Sequence, residues 1–152
     1  GGAGAAEGTH RIGQAVDIVR SGARRVTVLD ASAAVNVLLG RTTEPDLSGL
    51  VVRGVTAPHH IDVEITSALR GQVLGGKLAE GVALNRLGAF LAWPVERVPL
   101  RGLAPRIWEL RHAMSAYDAA YVALAEITGQ PLVTCDAKLL SGGHRAEVRV
   151  VA

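Results

Sequence analysis

Val26-Thr27-Val28-Leu29-Asp30 is the stretch that decides the fold, because it is a short apolar run, rich in β-branched residues, that ends in a carboxylate. Such a run is typical of a strand. The pattern returns near the other end of the chain in Leu132-Val133-Thr134-Cys135-Asp136, after the turn residues 129–131. In α/β sheets, sites form outside the carboxyl ends of the strands. The two runs therefore predict two aspartates at one functional edge.

Outward from these runs, apolar patterns of strand and helix length alternate along the chain. Ser32 is predicted to cap the first helix, and Pro58 to stand in the first turn of the second. The polar, proline-containing segment 40–53 is predicted to be a link without helix. Strands are predicted at 26–29, 54–57, 95–98, 132–135 and 148–151, and helices at 32–39, 58–74, 78–92, 103–114 and 115–128. This alternation predicts a three-layer α/β/α domain around a parallel sheet of four to five short strands.

The first 25 residues differ in character from the rest. Residues 1–9 are rich in glycine and alanine, which is typical of a flexible segment. Residues 10–21 carry apolar side chains at helical spacing, and Gly22 would end a short helix there. We therefore predict a flexible N-terminal extension over 1–25, with a short helix, and one folded domain over 26–152.

Composition excludes several classes of protein. The chain is 49% apolar, but no apolar run reaches the roughly 18 residues of a membrane span. The N-terminal stretch lacks the basic region and apolar core of a secretory signal, so we expect a cytoplasmic protein. One cysteine, Cys135, excludes an intramolecular disulfide. Aromatic residues make up only 3%, which argues against serial base stacking on single-stranded nucleic acid.

Four carboxylates stand out by their position. Asp30 and Asp136 follow strands, whereas Glu64 and Asp118 lie on predicted helices among apolar neighbours. Carboxylates in apolar surroundings are costly unless something pairs with them. A divalent cation is the simplest common partner, and Mg²⁺ in particular prefers hard oxygen ligands.

Each of these acids also has an ordinary structural interpretation. Asp30 could cap the following helix, in competition with Ser32, and Asp136 could be a turn residue. Asp118 completes the capping pattern S-x-x-D from Ser115. Glu64 could pair with Arg70 or stand in solvent. The joint occurrence of the four acids in one small α/β domain favours a metal site over four separate coincidences.

Four segments around these acids carry a family resemblance. They are VLDASA at 28–33, PHHIDVEITSAL at 58–69, YDAAYVALA at 117–125 and LVTCDAKL at 132–139. In this order and spacing they resemble the signature motifs of the PIN domain, and most closely those of the VapC toxins of type II toxin–antitoxin pairs. The resemblance extends over about residues 26–152.

The resemblance implies a toxin that is an Mg²⁺- or Mn²⁺-dependent endoribonuclease acting on tRNA or another structured RNA. It also implies a homodimer and a cognate VapB-type antitoxin. Carried over by position, the catalytic and metal-binding acids would be Asp30, Glu64, Asp118 and Asp136, supported by Ser32 and Thr134.

Weaker signals point elsewhere. Residues 71–77 approach a phosphate-binding loop, but Leu78 stands in place of the serine or threonine and no strand precedes the segment, so we predict a helix end. His59 and His60 are adjacent on a helix and do not form a joint ligand pair; we expect both to face solvent or the antitoxin. Asp62 lies about 200° from Glu64 on an ideal helix and is left out of the site.

Two other functions stay open at this point. A non-catalytic PIN-like module would bind RNA or a partner without cleaving, although all four acids are present. A Mg²⁺-binding receiver domain also carries acids at strand ends, but a glutamate within one helix and an aspartate at the start of another fit it poorly. Metal-dependent cleavage of RNA separates these readings.

Overall fold

The computed structural model describes residues 26–152, so the predictions for residues 1–25 lie outside the described part of the chain. The strands are β1 (Thr27–Leu29), β2 (Val55–Pro58), β3 (Val95–Val98), β4 (Leu132–Thr134) and β5 (Val148–Val150). The α-helices are α1 (Ala31–Leu38), α2 (Pro45–Arg53), α3 (Ile61–Leu74), α4 (Glu80–Leu91), α5 (Ala104–Glu109) and α6 (Ala116–Thr128). Short 3₁₀ turns cover Leu100–Gly102 and Ala137–Leu140.

The five strands form one parallel sheet in the order β3-β2-β1-β4-β5. The central strand β1 pairs with β2 on one side and with β4 on the other, where Leu29 lies opposite Val133. Parallel strands that all run the same way bring their carboxyl ends to one edge. Helices flank the sheet, so the predicted three-layer α/β/α fold is confirmed.

Helix α6 fills much of the core, which explains its sequence of small apolar residues. Eight of its 13 residues are buried, including the run from Ala119 to Ala125, and it packs against β1, β2 and β4. A helix that is apolar on every side is a buried helix. Gly129 ends it in the left-handed conformation that glycine adopts without strain. Within residues 26–152, no helix combines the length and apolar character that a membrane crossing requires.

Helix α2 was not predicted from the sequence. The segment predicted as a link contains α2, which has a proline in its first turn and buries Leu47 and Val51. Leu50 packs partly buried beside them, but polar residues and a proline open the stretch, so its apolar pattern is short in the sequence. Tertiary packing therefore decides its conformation.

Several predicted boundaries were also wrong. Asp30, rather than Ser32, is the N-cap of α1, because its carboxylate accepts a hydrogen bond from the backbone N–H of Ser32. Pro58 ends β2, opposite Val98, and α3 begins at Ile61 instead. The helix predicted over 103–114 is shortened to α5, with a 3₁₀ turn before it.

Candidate active site

Asp30 lies where the central strand meets α1, and it is 5% exposed. Both of its carboxylate oxygens are held. The N–H of Ser32 donates to Oδ1 at 2.9 Å, and the Thr134 hydroxyl donates to Oδ2 at 2.6 Å. These bonds fix the orientation of the carboxylate on the sheet edge.

The two supporting hydroxyls join the ends of β1 and β4. The oxygens of Ser32 and Thr134 are 3.3 Å apart. The N–H of Cys135 donates to the Ser32 hydroxyl at 3.0 Å, and the N–H of Asp136 donates to the Thr134 hydroxyl at 3.0 Å. The loop after β4, which carries Asp136, is thereby tied to the residues that hold Asp30.

Glu64 lies in the first turn of α3, with its side chain about a quarter exposed, and it pairs with His60 rather than with Arg70. Its Oε1 is 2.8 Å from Nε2 of His60. The prediction that His60 faces solvent or an antitoxin was wrong, since its side chain is only 10% exposed. The i,i+4 spacing of the two residues was a readable signal for this pair. His59, by contrast, is exposed.

Asp118 and Asp136 each have a local structural role as well. The Ser115 hydroxyl accepts a hydrogen bond from the Asp118 N–H at 3.2 Å, so Ser115 caps α6. The Asp136 carboxylate accepts from the Lys138 N–H at 3.0 Å and caps the 3₁₀ turn that follows. Both side chains are half-buried, so each carboxylate remains partly open to solvent beside its structural role.

Electrostatics connect the four acids. Burial raises the pKa of Asp30, and the charges of Glu64 and Asp118 raise it further, while the bonds from Thr134 and Ser32 act in the opposite direction. The pKa of Asp118 is raised as well, first by desolvation and then by Asp136 and Glu64. Each acid therefore lies within electrostatic reach of at least one other, and the set occupies one region of the sheet edge.

Little positive charge offsets this cluster. Within residues 26–152, no lysine or arginine forms an ion pair with any of the four carboxylates. Lys138 acts on Asp118 only through its charge. Arg97 instead pairs with Asp62 at 2.8 Å, which agrees with leaving Asp62 out of the site.

The donor chemistry suits a hard divalent cation, since all four groups are carboxylates. In the described residues, however, no three or more histidine, cysteine, aspartate or glutamate side chains are arranged to hold a metal ion as they stand. Glu64 instead contacts His60. The four residues fit a divalent cation by the chemistry of their donor atoms.

Two further side chains near the acids were not singled out from the sequence. The Tyr121 hydroxyl is buried, and desolvation, followed by the charges of Glu64 and Asp30, raises its pKa, while the backbone of Ala31 acts in the opposite direction. No atom in 26–152 completes a well-formed hydrogen bond to this hydroxyl. Asn36 donates from Nδ2 to Sγ of Cys135 at 3.2 Å. Burial raises the pKa of the half-buried Cys135, which keeps it a thiol rather than a nucleophile.

Comparison with known proteins places this fold and these motifs in a family. A crystal structure of PAE2754 from Pyrobaculum aerophilum superposes with a TM-score of 0.64, covering 86% of this chain and 88% of that one at 22% identity, and so supports the PIN-like fold. No family model matches the chain.

The relatives in sequence are more specific. Ribonuclease VapC12 of Mycobacterium tuberculosis is 43% identical over 130 residues, which are 82% of this chain and 98% of that protein. Ribonuclease VapC9 of the same species is 40% identical, over 77% of this chain and 91% of its own, and Ribonuclease VapC1 is 36% identical, over 82% and 96%. The chain belongs to the VapC family of PIN-domain toxins, which confirms the resemblance carried by the four motifs.

Proposed function

We propose that this chain is the toxin of a toxin–antitoxin pair and an endoribonuclease that depends on Mg²⁺ or Mn²⁺. The observation that carries the proposal is Asp30, buried at the end of the central strand with both oxygens fixed and two further carboxylates raising its pKa. A buried, oriented carboxylate that no cationic side chain pairs with is a site prepared for an added cation. The names of the curated relatives, all ribonucleases, support RNA as the substrate.

In this proposal each acid has a part. Asp30 and Asp118 hold the cation, Glu64 joins them, and Asp136 acts less directly, through a second ion or a bound water. A divalent cation held by these carboxylates would supply a bound water of lowered pKa and positive charge to offset that on the phosphodiester in the transition state. Ser32 and Thr134 keep the Asp30 carboxylate in the orientation that binding requires.

The substrate in this proposal is tRNA or another structured RNA. The scarcity of aromatic residues disfavours a surface that reads a long single strand by stacking. Lys138, close enough to Asp118 to affect its pKa, is suited to meet a phosphate beside the acids. The phosphates of the bound RNA would add negative charge beside the four carboxylates, and this increases the need for a cation at the site.

The test compares cleavage of a panel of tRNAs and other structured RNAs in Mg²⁺, in Mn²⁺ and in EDTA. Asp30→Asn removes the charge and keeps the size of the side chain, and Asp46→Asn, on the exposed first turn of α2, is the matched control. We expect cleavage by the wild type and by Asp46→Asn in either metal, and loss of at least about 100-fold in Asp30→Asn and in EDTA, the lower end of the effect of removing a single electrostatic contact in an active site. Cleavage that continues in a folded Asp30→Asn protein refutes the mechanism, and RNA binding without cleavage by the wild type refutes the enzymatic function.

We also propose that the protein is a homodimer and that a VapB-type antitoxin blocks the site. Family membership supports both. Leu100, Trp108 and Tyr117 leave exposed apolar surface near α5 and the start of α6, as expected where another chain packs. Light scattering of the purified protein tests the dimer, and inhibition of RNA cleavage by the antitoxin, added in equal amount, tests the block.

A further inference from the structure

The side chain of His60 is unusually buried for a polar residue next to a turn. It precedes α3, and its ring lies between two tyrosines, with centroid distances of 4.9 Å to Tyr121 and 6.0 Å to Tyr117. Only 10% of the side chain is exposed. Burying an imidazole in this way is costly unless its polar atoms are used.

The contacts of the imidazole determine which nitrogen donates. Nε2 lies 2.8 Å from Oε1 of Glu64 and 3.1 Å from the carbonyl oxygen of Tyr117. Both of these oxygens are acceptors, so Nε2 must carry the hydrogen. Nδ1 is buried and has no partner in the described residues. His60 therefore donates from Nε2 to the Tyr117 carbonyl of α6, and the same nitrogen lies in ion-pair contact with Glu64 of α3, whose Oε1 completes no aligned hydrogen bond in the described residues.

Those two helices carry two of the four acids. Glu64 lies on α3, and Tyr117 directly precedes Asp118 in the first turn of α6. An imidazole that donates to the Tyr117 carbonyl and contacts the Glu64 carboxylate links one helix to the other at the level of the acids. The rings of Tyr117 and Tyr121 both lie close to the imidazole and restrict the space around it.

We propose that His60 is a positioning residue, which holds Glu64 against the Asp118 turn so that the acids bind a divalent cation. The inference rests on the proposed function, because it assigns Glu64 and Asp118 to one metal site. A group that orients a metal ligand through a hydrogen bond typically contributes 10- to 100-fold in metal affinity or activity. A residue that only fills space between two tyrosines contributes to stability instead.

Three variants separate these roles. His60→Phe keeps a ring between the tyrosines and removes the donor, whereas His60→Gln keeps an N–H donor on a flexible side chain. His59→Phe is the matched control, since this neighbour is exposed and its one hydrogen bond runs from its backbone N–H to Val98. All are compared with the wild type for thermal midpoint, for Mn²⁺ affinity by calorimetry without RNA, and for kcat and KM on a cleaved RNA.

We expect His60→Phe to bind Mn²⁺ about 10-fold more weakly and to lose about 10-fold in kcat, with KM for RNA changed less than about 2-fold. His60→Gln recovers part of both losses, and His59→Phe matches the wild type. A folded His60→Phe protein with wild-type Mn²⁺ affinity and kcat overturns the inference, and so does a Gln variant no better than Phe.

A measurement on the unaltered protein guards against a variant that does not fold. With ¹⁵N-labelled histidine at pH 7.5, the NMR spectrum is expected to give a hydrogen on Nε2 of His60; a hydrogen on Nδ1 alone overturns the inference. Failure of the proposed function looks different, because the wild type then neither binds Mn²⁺ nor cleaves RNA. If the wild type binds the metal and His60→Phe binds it equally well, only the proposed role of His60 is refuted.

Discussion

Replacing Thr134 by valine tests the hydrogen bonds that hold Asp30. Thr134 is fully buried in β4, and its hydroxyl donates to the Asp30 carboxylate at 2.6 Å while accepting from the Asp136 N–H at 3.0 Å. Valine keeps the β-branched shape that suits a strand and removes only the hydroxyl. The substitution therefore changes polarity at constant volume.

The expected loss can be estimated from these two bonds. A hydrogen bond to a charged group contributes about 1.5–3 kcal/mol, and the half-buried Asp136 N–H loses its partner in addition. The two effects overlap because water can reach Asp136, so we expect a loss of about 2–3 kcal/mol in the free energy of unfolding. For a chain of this length, that lowers the thermal midpoint by roughly 4–12 °C.

The loss should depend on pH in a defined direction. The Thr134 donor favours the ionised form of Asp30, so the pKa of Asp30 is higher in the variant than in the wild type. The difference in the free energy of unfolding between wild type and Thr134→Val is therefore largest near pH 8, where the Asp30 carboxylate is ionised. It decreases as the pH falls through the raised pKa and Asp30 takes up a proton.

The assay is thermal unfolding followed by circular dichroism between pH 4 and pH 8, in EDTA. Thr128→Val is the matched control, because this buried hydroxyl donates to the neutral carbonyl of Leu124 at 2.8 Å. We expect it to lose about 1 kcal/mol at every pH. If the loss of stability in Thr134→Val equals the loss in the control, or stays constant as the pH falls, the account of how Asp30 is held is refuted.

Three other substitutions have expected outcomes. Thr56→Val should raise the free energy of unfolding by about 1 kcal/mol in chemical denaturation, since the buried Thr56 hydroxyl has no partner in 26–152; a loss of stability would contradict this. Arg106→Met should destabilise by about 1.5–3 kcal/mol, because two bonds from Arg106 hold the nearly buried Glu126. Arg106 lowers the pKa of Glu126. The difference in the free energy of unfolding between wild type and variant is therefore present above the ordinary glutamate pKa and disappears as the pH falls through the lowered pKa of Glu126. Urea titrations at pH 7 and pH 3 measure this difference. Asp30→Asn should abolish RNA cleavage yet raise the thermal midpoint of the metal-free protein, increasingly as the pH rises from about 4 to 7, because the raised pKa of Asp30 disfavours the ionised form in the folded state. A midpoint that falls in this last variant at pH 7 would mean that the carboxylate stabilises the fold.

The strands and their order along the chain were predictable because apolar runs rich in β-branched residues are typical of strands. Runs ending in Asp30 and Asp136 predict two carboxylates at one sheet edge, and the structure puts β1 beside β4. The buried helix α6 was readable in the same way from its continuous small apolar residues. These features depend on local composition alone.

The rest depends on contacts between distant segments. Pro58 ends a strand because β2 pairs with β3 up to Val98, and no local signal at Pro58 reveals that pairing. The burial of His60 follows from the approach of α6, which brings Tyr117 and Tyr121 onto its ring. The roles of the four acids remain predictions, since their placement in one region does not measure what they bind.

The position of β4 in the chain has a consequence for synthesis. Strand β1 is made before β4, and the two are joined across a sequence separation of 104 residues between Asp30 and Thr134, with Asp136 just beyond. Pairing over such a distance forms late in folding, and domains are completed in the order in which the ribosome delivers them. A chain that ends before Thr134 lacks both the hydroxyl that orients Asp30 and the carboxylate of Asp136, so this edge of the sheet is incomplete until β4 is present.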